Sequence, residues 1–144
     1  MRPYPHRYSV EAAAGPEESV ALSAAGVPVL ASAPPAEFDG PGDLWSPETL
    51  LVAALADCFV LTFRAVARAS RLEWRRLRCQ ADGTLERVEG VTRFTSFRIH
   101  AQLTLPPGGN PETAKRLLDK AEKTCLVTNS LSAPVELLAE AATG

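Results

Sequence analysis

Ser46-Pro47-Glu48-Thr49-Leu50-Leu51-Val52-Ala53-Ala54-Leu55-Ala56-Asp57-Cys58-Phe59 is the stretch that decides how the rest of the chain is read. Ser46 is a good helix N-cap, Pro47 suits the first helical position, and Glu48 sets an acid where the macrodipole favours one. From Leu50 to Phe63 only Asp57 and Thr62 are polar, so the spacing predicts a helix apolar nearly all round and buried centrally. Arg64, Arg68 and Arg71 return its end to solvent. The apolar run is 14 residues long, short of the roughly 20 that a membrane span needs. No membrane partner is expected.

Ahead of the helix, residues 6–31 read as strands. Tyr8, Val10, Ala12 and Ala14 alternate with polar or small neighbours until Gly15-Pro16 breaks the run. Val20-Ala21-Leu22 and Val27-Pro28-Val29-Leu30 flank Ala25-Gly26 as a hairpin, with Pro28 confining the second strand to an edge. The prolines and glycines of residues 33–45 predict a loop. Behind the helix, residues 73–105 read as two long antiparallel strands turning at Asp82-Gly83 or Glu89-Gly90. Strand length favours the second turn, with a bulge near Gly83. Asn110-Pro111 opens another helix, whose Ala114, Leu117, Leu118, Ala121 and Cys125 fall on one buried stripe. For residues 133–142 propensity suggests helix and Pro134-Val135 suggests strand; pattern alone leaves both open.

Composition narrows the class. With 144 residues, 46% hydrophobic and 22% charged, the chain has room for a single globular domain, 1–144. A net charge of −2 offers no polybasic surface, so no nucleic acid is expected. Two histidines are a poor supply of metal ligands, so neither a metal nor another cofactor is expected. The N-terminus lacks a signal-peptide core, which points to the cytoplasm. Residues 1–63 hold two arginines and eight acids, and no Lys or Arg lies between Tyr8 and Phe63. Either the two halves face each other in a fold or dimer, or any cation needed near the first half comes from elsewhere.

Cysteine is by default a small core hydrophobe, and Cys79, on an apolar strand face, is read so. Cys58 and Cys125 lie 67 residues apart on two helical segments expected to be central. Helix packing could bring them together as a nucleophile and its resolving partner, because a sulfenic acid condenses with a nearby thiol.

The sequence around both sharpens this. Ser46 to Phe59 resembles the central-helix signature of the OsmC/Ohr family of thiol-dependent peroxidases. Lys123-Thr124-Cys125-Leu126-Val127-Thr128-Asn129-Ser130-Leu131 resembles that family's second-cysteine segment, usually Cys-Pro-x-Ser. The resemblance implies an α+β fold, with two antiparallel sheets wrapped around central helices in an intertwined homodimer and residues 133–142 partly a strand. It implies that Cys58 attacks an organic hydroperoxide, that Cys125 closes a disulfide, and that a dithiol reductant reopens it. Glu48 matches the acid ahead of the cysteine helix and is carried over as a catalytic residue. Two features depart from the pattern: the family's N-terminal-half Arg is missing, and Leu126 stands where Pro is usual.

A free thiol has a pKa of about 8.5, and apolar burial raises it. The helix N-terminus lies about 15 Å from Cys58 by helical rise, so its dipole gives the thiol nothing. By the same measure Glu48 reaches a Cys58 only across a dimer axis. A positive group close to the sulfur is therefore expected, with Arg2, Arg7 and Arg98 as candidates. The segment Phe38 to Trp45 is either a surface loop held by its aromatic ends or a lid over an apolar peroxide channel, with Trp45 and Phe59 as substrate-binding walls. Two alternatives to a peroxidase stay open: an OsmC-like dimer binding a small apolar ligand, and a redox sensor whose disulfide is the output.

Overall fold

The computed structural model describes residues 1–144, which form two compact units, Met1–Leu50 and Leu51–Gly144. The first holds a three-stranded antiparallel sheet in the order β1 (Glu11–Ala13), β2 (Val20–Ser23), β3 (Leu30–Ser32). Strand formation is more limited than the alternation predicts. β1 keeps three residues, and Tyr8 and Val10 are exposed; with nothing packed on them, their alternation has no buried face to specify. β3 starts past Pro28, which supplies no N–H to a ladder. The expected loop follows, with one 3-10 turn at Ala36–Phe38. Its path is tight: a Cβ on Gly40 would sit 1.7 Å from the Pro34 carbonyl oxygen. The Ala33 N–H donates to the Trp45 carbonyl at 2.9 Å, tying the loop's two ends together.

Helix α1 runs Pro47–Ala69. Its start is a reciprocal cap: the Thr49 N–H donates to Ser46 Oγ at 3.1 Å, and the Ser46 N–H donates to Thr49 Oγ1 at 2.9 Å. Threonine thus fills the place that Glu or Gln takes in a capping box. At 23 residues α1 outruns the 14-residue apolar stretch, and by length and composition alone it could cross a membrane.

In the second unit β4 (Arg76–Val88) and β5 (Val91–Leu105) form the long hairpin, and β6 (Val135–Thr143) runs parallel to β5 on its other side. The turn is Glu89-Gly90, both at positive φ (51° and 79°), and the register slips between Thr84 and Leu85, next to the expected bulge. A parallel β5–β6 pair needs a crossover. That crossover contains α2 (Pro111–Thr124), capped by Asn110 Oδ1, and α3 (Leu126–Ser130).

The core lies between this sheet and the helices. Leu55, Phe59, Phe63 and Ala67, one every four residues of α1, are fully buried with Phe97, Ile99, Ala101, Leu103 and Leu105 of β5 and Ala114, Leu118 and Ala121 of α2. Gly83 has no side chain to hold off Val52 and Phe94, which would lie 3.0 and 2.9 Å from its Cβ. Within one chain the helix expected to be buried centrally is covered on one side. One stripe is covered, and Leu61 on another face is 48% exposed, because within one chain a single sheet layer covers one side of a helix.

Candidate functional site

Cys58 follows the stripe residue Leu55 by three positions and precedes Phe59, so it sits at the flank of the buried face, half-buried. One turn on, Thr62 places its hydroxyl 3.8 Å from Cys58 Sγ. The partner comes from the crossover. α2 ends at Thr124, and Cys125 is extended (φ −65°, ψ 117°), serving as C-cap of α2 and N-cap of α3. This junction is pinned by local bonds: Asn129 Nδ2 donates to the Lys123 carbonyl at 3.2 Å and the Asn129 N–H to the Cys125 carbonyl at 3.0 Å. Ser130 Oγ donates to the Leu126 carbonyl at 2.7 Å. Cys125 is fully buried, and its thiol is near enough to Cys58 to lower that group. All three cysteines are free thiols.

Burial pushes the Cys58 thiol up, but four donors outweigh it: the Val127 N–H, the Cys125 thiol, the Thr62 hydroxyl and the Leu126 N–H. The net direction is down from the ordinary thiol value. Within this single chain every group that lowers the thiol is a neutral hydrogen-bond donor. Such bonds stabilise a thiolate because its charge strengthens them. Among the candidate cations, Arg98 alternates with the buried Phe97 and Ile99, so it lies on the wet face of β5. It pairs there with Glu136 at 3.6 Å. Arg2 and Arg7 are exposed residues of the first unit.

Cys79 faces inward from β4 opposite Ala101. Burial, with the nearby Cys125 adding a repulsive charge, pushes its thiol up to about 11. It is a core thiol, as its strand face predicts, yet it lies within electrostatic reach of Cys125.

Phe59 is a core side chain with no exposed surface. Trp45 is half exposed and lines an open hollow with Leu30, Leu44 and Thr49. Glu48 is in the first turn of α1, its Oε1 buried without a hydrogen-bond partner. Sequence reasoning missed Thr62, Val127, Leu126 and Asn129. Thr62 was within reach, since i and i+4 share a helix face; the other three depend on how the crossover folds back.

The scaffold is α+β, a central helix with a crossover that carries a buried thiol near a half-buried one. The sequence model of the OsmC-like protein family matches residues 40–139, and the chain belongs to that family. YmaD of Bacillus subtilis, itself uncharacterised, is 29% identical over 110 residues, covering 74% of this chain and 73% of that one. An OsmC-like protein of unknown function from Vibrio cholerae superposes with a TM-score of 0.86 at 17% identity, covering 94% of this chain and 99% of that one. The organic hydroperoxide resistance protein OsmC of Legionella pneumophila, described as a predicted redox protein, gives a TM-score of 0.75 at 24% identity over 96% and 99% of the two chains. The α+β OsmC-like fold expected from the resemblance is thus the observed one, with one correction: the second sheet is mixed rather than antiparallel, because the α2–α3 crossover returns β6 parallel to β5.

Proposed function

We propose that this protein is a thiol-dependent peroxidase that reduces organic hydroperoxides, with Cys58 as nucleophile and Cys125 as resolving thiol. The observation that carries the reading is two thiols near enough to act on each other, with unequal exposure. A peroxide from solvent meets the half-buried Cys58, whereas Cys125 has no exposed surface.

In the first step the Cys58 thiolate attacks the terminal peroxide oxygen. The O–O bond breaks, Cys58 becomes a sulfenic acid, and the remaining alkoxide leaves as an alcohol after taking a proton. The Cys125 sulfur then attacks the sulfenic sulfur, forming the disulfide and releasing water. A dithiol reductant restores both thiols by exchange and is itself oxidised to a disulfide. The donors on Cys58 raise its thiolate fraction, which sets the rate of the first step.

The same reading includes a homodimer, since Leu61 leaves an apolar face of α1 open and the OsmC/Ohr resemblance implies one. In such a dimer Glu48 of one copy would approach Cys58 of the other, and Trp45 would help wall the substrate channel. Free thiols suit a reducing compartment such as the cytoplasm.

The test is hydroperoxide consumption coupled to a dithiol, comparing wild type with Cys58→Ser and Cys125→Ser. The expected result is turnover in wild type and none in Cys58→Ser. Cys125→Ser should accumulate a Cys58 sulfenic acid that dimedone traps. Absence of peroxide-dependent Cys58 oxidation in wild type overturns the reading and favours a ligand-binding dimer; oxidation without turnover favours a redox sensor.

A further inference from the structure

We infer that the open face of α1 is an antiparallel seam with a second copy of this chain, in which Asp57 of each copy pairs with the partner's Arg64 about a two-fold axis at Leu61. The inference deepens the homodimer of the proposed function and rests on it, independently of the peroxide chemistry.

The face itself is the first observation. Opposite its buried stripe α1 presents Ala54, Asp57, Leu61, Arg64, Ala65 and Arg68 to solvent. The spacing is i, i+3, i+7, i+10, i+11 and i+14, which makes one continuous line along a helix. Of the most apolar 18-residue stretch of α1, only 22% is buried within the chain. An exposed apolar surface framed by charges marks an interaction site.

The second observation is that both charges on this line lack partners. The ion pairs of the chain are Arg98 with Glu136 and His100 with Glu140, and neither Asp57 nor Arg64 takes part in one. Their own helix offers nothing. The positions three and four away from Asp57 are Ala53, Ala54, Val60 and Leu61, and those around Arg64 are Val60, Leu61, Ala67 and Arg68. A carboxylate and a guanidinium thus stand unpaired on one apolar face.

Their arrangement selects both the occupant and its direction. In a two-fold pair of helices running parallel, each residue lies level with its own counterpart, so Asp57 would meet Asp57 and Arg64 would meet Arg64. In an antiparallel pair the residues level with each other are those equally far from the axis on opposite sides. The midpoint between Asp57 and Arg64 falls beside Leu61, so Asp57 comes level with the partner's Arg64, and by symmetry Arg64 with the partner's Asp57. Both also lie on one flank of Leu61, about 40° and about 60° round the helix from it. An axis perpendicular to the two helices keeps like flanks together, so the charges meet across the seam. Cys58 lies about 60° round on the other flank, and the pair does not screen its thiol. Lipid is the rival occupant, and the same two charges oppose it because neither finds a partner there.

The test is sedimentation equilibrium on the full chain with the charges exchanged. Wild type should be a dimer. Asp57→Arg sets arginine against arginine and Arg64→Asp sets acid against acid, each at two symmetric places, so either alone should weaken association about a hundredfold. The double variant Asp57→Arg, Arg64→Asp should dimerise as wild type does. An equimolar mixture of the two single variants should form a mixed dimer, since each supplies what the other lacks. Single variants as dimeric as wild type overturn the inference and leave a homodimer through some other face; a monomeric wild type overturns both. Wild type that binds phosphatidylcholine–phosphatidylglycerol vesicles as a monomer makes lipid the occupant and overturns the inference. If circular dichroism shows a single variant unfolded, Leu61→Cys in a Cys58→Ser chain decides instead. At the axis the two introduced thiols face each other, and oxidation should join two copies of the same peptide, seen by mass spectrometry; no such cross-link overturns the inference. Hydroperoxide turnover is not a readout in any of these arms, so failure of the seam and failure of the peroxidase reading are told apart.

Discussion

Cys125 acts on the Cys58 thiol from a position with no exposed surface, whereas Cys58 itself is half-buried. The two thiols are therefore unequally accessible, and in the proposed reaction Cys58 would meet the reagent first. Native alkylation should modify Cys58 first, with Cys79 and Cys125 protected until the chain unfolds. Peptide mass mapping over a time course checks this, and early labelling of Cys125 would contradict the assignment of roles.

Thr62 should contribute to the reactivity of Cys58 without contributing much to stability. Its hydroxyl lies 3.8 Å from the sulfur, and valine has nearly the same shape without the donor. Thr62→Val should shift the Cys58 alkylation profile to higher pH and slow the reaction at pH 7 about threefold. Its denaturation midpoint should stay near that of wild type.

Cys79 makes stability fall in alkali. Its folded thiol is raised to about 11 from an ordinary value of 9.0, so the unfolded chain ionises it first. The stability this group contributes is whole below pH 9.0 and is lost as the pH climbs towards 11. Replacing it with alanine should flatten part of that decline, measured by urea unfolding at several pH values. Cys58 has the opposite sign: its lowered thiol contributes stability above the unfolded value, lost as pH falls through the folded one.

Phe63 tests the core. It is fully buried and meets Trp74 edge-on at 5.4 Å, so Phe63→Ala should cost about 3–5 kcal/mol in denaturant unfolding. Ser46→Ala removes the cap of α1 and should cost about 1 kcal/mol. A Phe63→Ala loss no larger than the Ser46→Ala loss would mean that the α1 stripe is not the centre of the core.

Gly40→Ala should be damaging out of proportion to its place in a loop. The new Cβ would fall 1.7 Å from the Pro34 carbonyl oxygen, and only a shift of backbone relieves it. Thermal unfolding checks this; Gly26→Ala is the comparison, where strain comes from a φ of +80° but the space is open.

Local chemistry was legible wherever a feature depends on near neighbours in the chain. Ser46-Pro47 and Asn110-Pro111 announce helix starts because caps and N1 prolines act within one turn. The Phe97-to-Leu105 alternation announces β5 because one face is buried and the other wet. Residues 6–14 yielded only the three residues of β1 for the complementary reason: alternation without a covering layer specifies little strand. The tail, ambiguous by propensity, became β6 because it completes a parallel pair with β5, a contact 38 residues away in the Phe97–Val135 register.

The sequence by itself determined the helices, the hairpin, the two cysteines and the family to which they belong, since each rests on short spacings and residue types. Tertiary structure alone decided what lowers the Cys58 thiol. The relevant groups are main-chain N–H donors of Leu126 and Val127, more than sixty residues on. A backbone amide leaves no signature in residue identity, apart from proline, and its direction is set only when the crossover folds back onto α1.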